Sequence, residues 1–215
     1  MEKIKRIVKM KAFIYVGGEI FADGISEQKK GDDIIISADR GYLNAKKLGA
    51  SVNFAVGDFD SMDKKEVEGA EIIEVPAEKD FTDTQLAVDL AIEKGAEQIT
   101  IIGGLGGRLD HTLSNIGILE KLWSLGIRAT ITDGKSRIRY IRSTSELIPK
   151  TSFKYLSVLS ADDLVKGVSI EGCKYPLKNA KLTRVNGYTV SNEILKNCAL
   201  ISVKKGGVYI IESRD

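Results

Sequence analysis

Residues 53–61 read Asn-Phe-Ala-Val-Gly-Asp-Phe-Asp-Ser, and this stretch decides both the fold class and the chemistry to expect. A short apolar run, 53–56, ends directly in a glycine followed by two acids. Uniformly apolar runs of this length suit strands that are buried on both faces, as in a parallel sheet. The stretch therefore predicts a buried strand whose carboxyl end carries Asp58 and Asp60.

An apolar run followed by a turn or by polar residues recurs along the first two-thirds of the chain. We predict further strands over five segments, 12–16, 33–38, 71–75, 98–102 and 127–132. Apolar residues at helical spacing, with glycines after them, predict helices over 41–49, 82–94 and 110–125. The alternation of strands and helices indicates an α/β domain over residues 1–137, built on a mostly parallel sheet with right-handed crossovers.

The pattern changes after about residue 137, where the helical periodicity fades. Short β-rich runs separated by turn residues follow it, at 137–141, 153–159, 165–170, 181–185, 200–203 and 208–211. Several short strands with turn signals between them are typical of an all-β unit. The sequence therefore predicts a smaller C-terminal β-sandwich domain over residues 138–215. No low-complexity linker separates it from the first domain, so we expect the two to pack closely.

The composition argues against several classes of protein. The 215-residue chain has 32 basic and 30 acidic residues, and its net charge is +2. Charges this balanced argue against a general nucleic-acid binder, and no apolar run approaches the ~20 residues that span a bilayer. The two cysteines, Cys173 and Cys198, lack the spacing of a zinc site or a disulfide framework. We expect a cytoplasmic protein without a nucleic-acid or membrane partner.

Acidic residues gather in two short clusters that follow predicted strands. The first holds Asp58 and Asp60, with Asp63 close behind, and the second is Lys-Asp-Phe-Thr-Asp at 79–83. Ligands of open α/β sheets bind beyond the carboxyl ends of the strands. Carboxylates this dense repel one another unless a cation lies between them, and Mg²⁺ often bridges carboxylates to substrate phosphates. The sequence therefore indicates a metal-dependent enzyme that acts on a phosphorylated substrate.

The first cluster has a structural alternative. In an extended segment Asp58 and Asp60 point the same way and can share a metal, while Phe59 turns toward the core. In a polar turn one of the two acids instead caps a helix near 63–69. The presence of a second acidic cluster favours the metal site.

The second cluster also has a structural reading, because Thr82 and Gln85 fit a capping box at the start of a helix. That motif does not require both Asp80 and Asp83. Residues three apart share a helix face, so these two carboxylates could flank one cation. A helix N-terminus also favours anions, which gives the acids a partly structural role.

A glycine turn, 103–107, connects a predicted strand to a predicted helix. Such turns expose backbone N–H groups to phosphate oxygens, and Arg108 could clamp a phosphate with its planar guanidinium group. The dinucleotide-binding fingerprint fails because Leu109 stands where its last glycine should be. Asp110 has two readings, as a site residue or as the N-cap of the next helix. His111, the only histidine, favours a structural role.

In this order the motifs resemble those of the thiamine pyrophosphokinase family, over nearly the whole chain. The family carries a strand-end Asp-x-Gly, then Gly-Asp-x-Asp-Ser, Lys-Asp-x-Thr-Asp, Gly-Gly-x-x-Gly-Arg-x-Asp-His and a late Ser-Asn-Glu. Here they stand at 39–41, 57–61, 79–83, 103–111 and 191–193. Residues 172–177 also resemble the family's Gly-x-Lys-Tyr-Pro-Leu.

The resemblance implies an activity, a cofactor and an assembly. The family uses Mg²⁺ to transfer a diphosphate group from ATP to the hydroxyl of thiamine, which gives thiamine diphosphate and AMP. It works as a homodimer, and we expect the thiamine site at the dimer interface. Its fold is an N-terminal α/β domain followed by a C-terminal β-sandwich.

The resemblance also implies roles for particular residues. The expected metal ligands are Asp58, Asp60 and Asp83. The expected ATP-binding residues are Asp39, Gly41, Lys79, Gly104 and Arg108. The expected thiamine-binding residues are Ser191, Asn192 and Asp110. The expected catalytic residues are Asp58, Asp60, Asp80, Asp83, Arg108 and Asp110. Among these, Asp110 is the first candidate to accept or orient the proton of the thiamine hydroxyl.

Two other functions are compatible with these residues. One is a related diphosphokinase that acts on a hydroxymethyl pterin, and the other is a non-enzymatic sensor of nucleotide or thiamine. Residues 191–193 and Tyr175 favour thiamine over a pterin. Both acidic clusters are complete, which argues against a sensor because a sensor needs no full set of metal ligands.

Overall fold

The computed structural model describes residues 10–26, 28–59, 64–76 and 80–215 of the chain. Its N-terminal part alternates strands and helices. The strands are β1 (Lys11–Tyr15), β2 (Ile34–Ala38), β3 (Phe54–Gly57), β4 (Glu71–Glu74), β5 (Gln98–Ile102) and β6 (Arg128–Thr132). The helices are α1 (Gly41–Lys47), α2 (Asp83–Glu93) and α3 (Leu109–Ser124).

The first six strands form a parallel sheet in the order β4-β3-β2-β1-β5-β6. The chain builds outward from β1 to β4 on one side and then returns to place β5 on the other side of β1. The strand order therefore reverses between β1 and β5, and such a switch point opens a crevice at the carboxyl ends of the strands. The predicted α/β fold is confirmed.

Apolar residues cover both faces of this sheet, which explains the continuous apolar runs. On one face α2 and α3 pack their buried residues, such as Val88 and Leu122, against Ile14 and Ile101. On the other face α1 contributes Tyr42 to a smaller cluster. Burial on both faces places the functional groups at the strand ends.

The loops that follow β1 and β5 touch each other at the switch point. A Cβ atom on Gly18 would lie 2.2 Å from the carbonyl oxygen of Gly103, so only glycine allows this approach. The side chain of Asn44 in α1 donates hydrogen bonds to the carbonyl oxygens of Val16 and Gly18, at 2.7 and 2.8 Å. The two loops thus lie in close contact at the carboxyl edge of the sheet, and Asn44 ties the first of them to α1.

The C-terminal part is built of strands. They are β7 (Ser136–Arg142), β8 (Ser145–Pro149), β9 (Tyr155–Ser160), β10 (Leu164–Glu171), β11 (Leu177–Thr183), β12 (Cys198–Ser202) and β13 (Gly207–Ser213). β7 pairs antiparallel with β6, and β13 and β9 follow it, so that the described residues form one nine-stranded sheet. A second sheet has the order β11-β10-β12-β8.

The four-stranded sheet packs on β7, β13 and β9 to form the predicted sandwich. Its core contains Ile141, Leu156, Val168, Ile201 and Val208. One layer of the sandwich is thus continuous with the α/β sheet across residue 137, and the division of the chain there stays a prediction.

Two features of the C-terminal strands differ from the prediction. β8 was not predicted, because it is short, it ends in Pro149, and Ile148 is its only fully buried residue. β11 lies at 177–183 and not at 181–185, because its ladder with β10 begins at Leu177. Cys173 and Cys198 are both free thiols. Among the described residues, no helix has the length and apolar character needed to span a membrane.

Candidate active site

Three acids from three separate segments come together at the carboxyl edge of the parallel sheet. Asp39 follows β2, Asp58 follows β3, and Asp83 is the first residue of α2. The carboxyl of Asp39, when protonated, is placed to donate a hydrogen bond to the carboxylate of Asp83, and Asp58 is close enough for its charge to act on Asp39. We call Asp39, Asp58 and Asp83 the acid cluster.

The acid cluster has an unfavourable electrostatic environment. The pKa of Asp39 is raised to about 7, first by burial and then by the hydrogen bond and charge of Asp83 and the charge of Asp58. A hydrogen bond from the backbone of Phe59 offsets only part of this rise. The Oδ1 atom of Asp39 is buried and has no hydrogen-bond partner among the described residues. The cluster therefore brings like charges together around the carboxyl of Asp39.

The backbone around Asp39 is shaped to bring its carboxyl into the cluster. Asp39 has a φ of 43°, in the left-handed region that aspartate tolerates better than most residues. Its N–H donates to the carbonyl oxygen of Val56 at 2.9 Å, which ties it to β3. A Cβ atom on Gly57 would lie 1.8 Å from Oδ1 of Asp39, so glycine leaves the space that the carboxyl occupies.

Left-handed backbone recurs at the predicted site. Among the described residues, five that are not glycine have a positive φ, and Asp39, Phe59 and Ser191 are three of them. Such residues cost of order 1–3 kcal/mol each and cluster at functional sites. Phe59 is 7% exposed, as expected for a side chain that turns toward the core while Asp58 faces the rim.

The start of α2 confirms the predicted capping box. The side chain of Thr82 accepts a hydrogen bond from the backbone N–H of Gln85 at 3.2 Å, and Gln85 Oε1 accepts one from the N–H of Thr82 at 3.0 Å. This cap fixes where the helix begins and thereby places Asp83 in its first turn. Asp80 lies two residues before the cap and is exposed.

The acid cluster has the donor chemistry of a divalent-cation site, although the described residues do not complete one. No three His, Cys, Asp or Glu side chains in the described ranges are arranged to hold a metal ion. Asp60, the third expected ligand, lies outside those ranges, as do Lys79 and Asp63. Half-buried carboxylates with an unpartnered oxygen nonetheless suit a hard cation, since oxygen ligands are what Mg²⁺ prefers.

The glycine turn after β5 leads to an exposed ion pair at the start of α3. Arg108 is the N-cap residue, so the alternative reading of Asp110 as the N-cap is wrong. Arg108 Nη2 lies 2.6 Å from Asp110 Oδ2, and Arg108 Nε lies 3.2 Å from Asp110 Oδ1. The Arg108 guanidinium, aided by the His111 N–H, lowers the pKa of Asp110. Both side chains remain open to solvent, at 74% and 64% exposed.

Two expected nucleotide-site glycines also have clear packing roles. Gly41 is buried at the start of α1, close against the carbonyl of Tyr15 in β1. The carbonyl oxygen of Gly104 accepts a hydrogen bond from the buried side chain of Asn115, at 2.9 Å. This bond holds the glycine turn to α3, and both glycines lie on the same edge of the sheet as the acid cluster.

The two expected thiamine residues near the C-terminus have different surroundings. Ser191 is exposed, and its N–H donates to Oγ of Ser157 at 3.0 Å. Asn192 is 5% exposed. Its side chain accepts from the N–H of Tyr175 at 2.9 Å and donates to the Tyr175 carbonyl at 2.7 Å. In this structure Asn192 thus holds the 172–177 segment in place, and its role in binding thiamine stays a prediction.

A small pocket adjoins these residues. It has a volume of about 200 Å³, and its lining includes Tyr175, Tyr188, Val190 and Asn192. Tyr175 and Tyr188 are 63% and 58% exposed, so their rings are available to a ligand. We call this the aromatic pocket. Sequence reasoning missed Tyr188, because a single tyrosine in a loop carries no pattern.

The aromatic pocket lies far from the acid cluster of the same chain. Residue 192 forms a backbone bridge with Leu156 of β9, the last strand of the nine-stranded sheet, whereas Asp58 follows β3, near the other end. Seven steps between neighbouring strands separate β3 from β9. At about 4.8 Å a step, roughly 30 Å separates the two regions.

Comparison with known proteins assigns each half of the chain. A family model described as thiamin pyrophosphokinase, catalytic domain, matches residues 26–131. A second, described as thiamin pyrophosphokinase, vitamin B1 binding domain, matches residues 144–208. A thiamine pyrophosphokinase of Bacillus subtilis (strain 168) is 33% identical over 186 residues, covering 84% of this chain and 87% of the relative.

Solved structures agree with this assignment. The crystal structure of thiamine pyrophosphokinase from Bacillus subtilis matches with a TM-score of 0.87 and 28% identity, covering 95% of this chain and 99% of that one. A thiamin pyrophosphokinase family protein from Enterococcus faecalis matches with a TM-score of 0.83 and 31% identity, covering 96% and 99%. The similarity includes both the α/β part and the sandwich.

Proposed function

Because the chain belongs to the thiamine pyrophosphokinase family, we propose that it transfers a diphosphate group from ATP to the hydroxyl of thiamine, giving thiamine diphosphate and AMP. The observation that carries this proposal is the acid cluster at the carboxyl edge of the sheet, where Asp39, Asp58 and Asp83 meet. Like charges that gather at a ligand-binding edge lower the stability of the fold, and such arrangements are typical of functional sites.

Asp58 and Asp83 are the described residues best placed to hold Mg²⁺, with Asp60 as the further expected ligand. A bound divalent cation would neutralise charge on the triphosphate and favour attack on its β-phosphorus. Asp39 packs against Asp83 and leaves one buried oxygen unpartnered, so it belongs with the metal-binding acids more than with the adenosine part of ATP. This refines the nucleotide-binding role expected for Asp39.

Arg108 would stabilise charge on the phosphates from the other side of the switch point. In this structure it pairs with Asp110, but an exposed ion pair contributes only about 0–1 kcal/mol, so a phosphate can replace Asp110. The guanidinium group could then bind two phosphate oxygens at once. In the transfer the thiamine oxygen forms a bond to the β-phosphorus, and the bond from that phosphorus to the oxygen that stays with AMP breaks.

Asp110 suits an orienting role better than that of a strong base. Its pKa is lowered by Arg108 and the His111 N–H, and a carboxylate stabilised in its charged form takes up a proton weakly. As an acceptor of a hydrogen bond from the thiamine hydroxyl it would still aim the attacking oxygen. Lys79 and Asp80 complete the expected set around the phosphates.

A homodimer is the arrangement that joins the two halves of the site. Within one chain, roughly 30 Å separates the aromatic pocket from the acid cluster, which is too far for thiamine to reach both. Exposed apolar side chains occur in both regions. Phe81 lies two residues before Asp83, and Leu109 and Leu113 lie at the start of α3 on the same edge of the sheet, while Tyr175, Tyr188 and Val190 lie at the pocket. A two-fold dimer that packs one region against the other forms two equal sites.

Product analysis tests the proposed reaction. Purified protein with ATP and Mg²⁺ should release AMP and form thiamine diphosphate when thiamine is added. Release of AMP with hydroxymethyl pterin but not with thiamine would assign the chain to the rival diphosphokinase. Binding of thiamine or ATP without any AMP would assign it to the sensor class.

Mixing two defective variants, one in each region, tests the shared site. Asp83→Ala should inactivate the acid cluster, and Tyr188→Ala should weaken the aromatic pocket. If each site takes one region from each subunit, exchange of subunits in a one-to-one mixture restores about a quarter of the wild-type sites. A mixture that forms mixed dimers but stays inactive would mean that each chain builds its own site.

Three further expectations stay predictions. They are the cytoplasmic location, the absence of nucleic-acid and membrane partners, and the domain boundary at residue 137.

A further inference from the structure

One sizeable cavity in the described residues lies away from the acid cluster. It has a volume of about 570 Å³ and is lined by Lys11, Gln98 and Arg128, which are the first residues of β1, β5 and β6. It therefore opens at the amino ends of the parallel strands, whereas the acid cluster stands at their carboxyl ends. No step of the proposed diphosphate transfer involves the residues that line this cavity.

The walls come from both parts of the chain. Lys11 and the turn before β2 form one side, and Arg137 and Arg139 of β7 with Glu146 of β8 form the other. Phe13, Thr100 and Thr130 lie on the three neighbouring strands of the floor. A ligand bound here would contact the α/β part and the sandwich at once. We call this cavity the basic groove.

Positive charge predominates in the basic groove. Its lining residues include the five cations Lys11, Lys30, Arg128, Arg137 and Arg139, against the two acids Asp33 and Glu146. Lys11, Lys30 and Arg128 form no ion pair with another described residue. Even with the buried Glu212 behind the wall counted as a third acid, the cations remain in excess. The groove thus attracts anions.

Arg139 is held in place yet retains hydrogen-bonding capacity. Its Nη2 lies 2.6 Å from Glu212, and its Nη1 lies 3.3 Å from Glu146, so two carboxylates fix the guanidinium group. Its Nε is buried and has no hydrogen-bond partner among the described residues. A rigid, partly desolvated arginine with a free N–H is well suited to bind a phosphate oxygen.

We propose that the basic groove binds a small phosphorylated molecule, at a site separate from the one that carries out the transfer. Its volume is in the range of about 300–1,000 Å³ that holds small ligands, so there is room for an organic part beside the phosphates. Threonine hydroxyls on the floor can donate further hydrogen bonds. Trp123 and Tyr140 at one end offer aromatic contact. A cationic or neutral ligand would leave the arginine and lysine charges unmatched.

Trp123 makes the proposal directly measurable. It is the only tryptophan of the chain and lines the groove, so its fluorescence reports binding there. The probes are inorganic diphosphate and AMP, added at constant ionic strength in the presence of EDTA. Without a divalent cation the acid cluster repels phosphates, so binding in EDTA does not depend on the proposed catalytic site. We expect a saturable change in Trp123 fluorescence and matching heat in calorimetry.

Charge variants locate the binding. Arg128→Gln and Lys11→Gln remove exposed cations from the groove and should each weaken diphosphate binding about threefold to tenfold. Arg139→Gln should weaken it more, but this change also disturbs Glu212, so the two exposed variants carry the test. Lys166→Gln, an exposed lysine of β10 outside the groove, should leave the affinity unchanged within twofold.

Two results would overturn the proposal. One is the absence of any saturable signal up to millimolar concentrations of both probes. The other is binding that Arg128→Gln and Lys11→Gln leave unchanged, which would place the probe elsewhere. Because no step of the assay requires turnover, failure here leaves the proposed diphosphate transfer intact.

Discussion

Two groups of half-buried or buried charges differ in how they are balanced. In the acid cluster, Asp39, Asp58 and Asp83 bring like charges together, and Oδ1 of Asp39 lacks a partner among the described residues. At the junction of the sheets, Glu212 is 2% exposed and lies between Arg137 and Arg139. Arg137 binds it through Nε and Nη2, at 3.1 and 3.0 Å.

We interpret the acid cluster as a functional arrangement of charges and the Glu212 group as a structural one. Glu212 is neutralised by two guanidinium groups and ties β13 to β7, the strands that extend the parallel sheet into the sandwich. In the acid cluster the carboxylates of Asp58 and Asp83 instead disfavour the charged form of Asp39. Like charges gathered at a ligand-binding edge indicate a functional site, whereas a buried acid matched by two arginines indicates a structural one.

The largest expected effect comes from the acid cluster. Asp83→Ala should reduce turnover by about 10³-fold, because it removes a ligand of the charge-stabilising cation. The thermal midpoint should stay the same or rise, since the repulsion of Asp39 is relieved. AMP release and a melting curve measure the two effects.

Asp89→Ala is the matched control for that variant. Asp89 lies on the same helix and pairs with Lys121 at 2.6 Å, outside the cluster. It should keep near-normal turnover. Near-normal AMP release by Asp83→Ala, or by Asp58→Ala, would show that the acid cluster does not bind the metal ion that the reaction needs.

The next largest effect is expected at Glu212, where a substitution should lower stability and leave turnover nearly unchanged. Glu212→Gln leaves two arginines facing a neutral amide and should lower the free energy of unfolding by about 3 kcal/mol. Turnover per folded molecule should change little. Urea denaturation measures the loss, and Glu171→Gln, an exposed acid of β10, serves as the control. Equal free energies of unfolding for Glu212→Gln and wild type would show that the charge of Glu212 between Arg137 and Arg139 does not stabilise the fold.

The pH dependence of stability sharpens the comparison further. Folded Asp39 has a pKa of about 7, whereas an unfolded aspartate titrates near about 3.9. A raised pKa contributes stability below the unfolded value, and this contribution is lost as the pH rises through 7. In EDTA, wild type should therefore be less stable at pH 8 than at pH 5, and Asp39→Asn should reduce this difference.

Urea denaturation at the two pH values measures this effect. Addition of Mg²⁺ to wild type at pH 8 should recover stability, whereas Asp39→Asn should respond less. An unchanged pH dependence in Asp39→Asn would show that another group causes it.

The smallest expected effect tests how α2 presents Asp83. Thr82→Ala removes the cap and should cost about 1 kcal/mol of stability. Thermal unfolding measures it, with Thr82→Ser as the variant that keeps the hydroxyl. Equal loss in both variants would mean that the hydroxyl does not set the start of the helix.

The parallel strands could be predicted from the sequence because burial on both faces leaves a continuous apolar run. β5 was placed at its observed bounds, 98–102, and β1 within one residue. The strands of the sandwich were harder, because β8 exposes most of its residues. The parallel sheet continues into one layer of the sandwich because β6 pairs with β7, and this pairing leaves no pattern in the local sequence.

The sequence predicts the acids of the candidate site, but it does not predict which of them lie together. Asp58 and Asp83 stand out in acidic motifs, whereas Asp39 stands alone and was assigned to the nucleotide by resemblance. Only the fold shows its contact with Asp83. The buried Glu212 and its two arginines were equally invisible, since 73 residues or more separate the partners.

Binding of Mn²⁺ followed by electron paramagnetic resonance, without nucleotide, tests the central claim most directly. Wild type and Asp89→Asn should bind the ion saturably and alike, and the double variant Asp58→Asn, Asp83→Asn should lose this binding while keeping its fold. A double variant that binds Mn²⁺ as tightly as wild type would contradict the account.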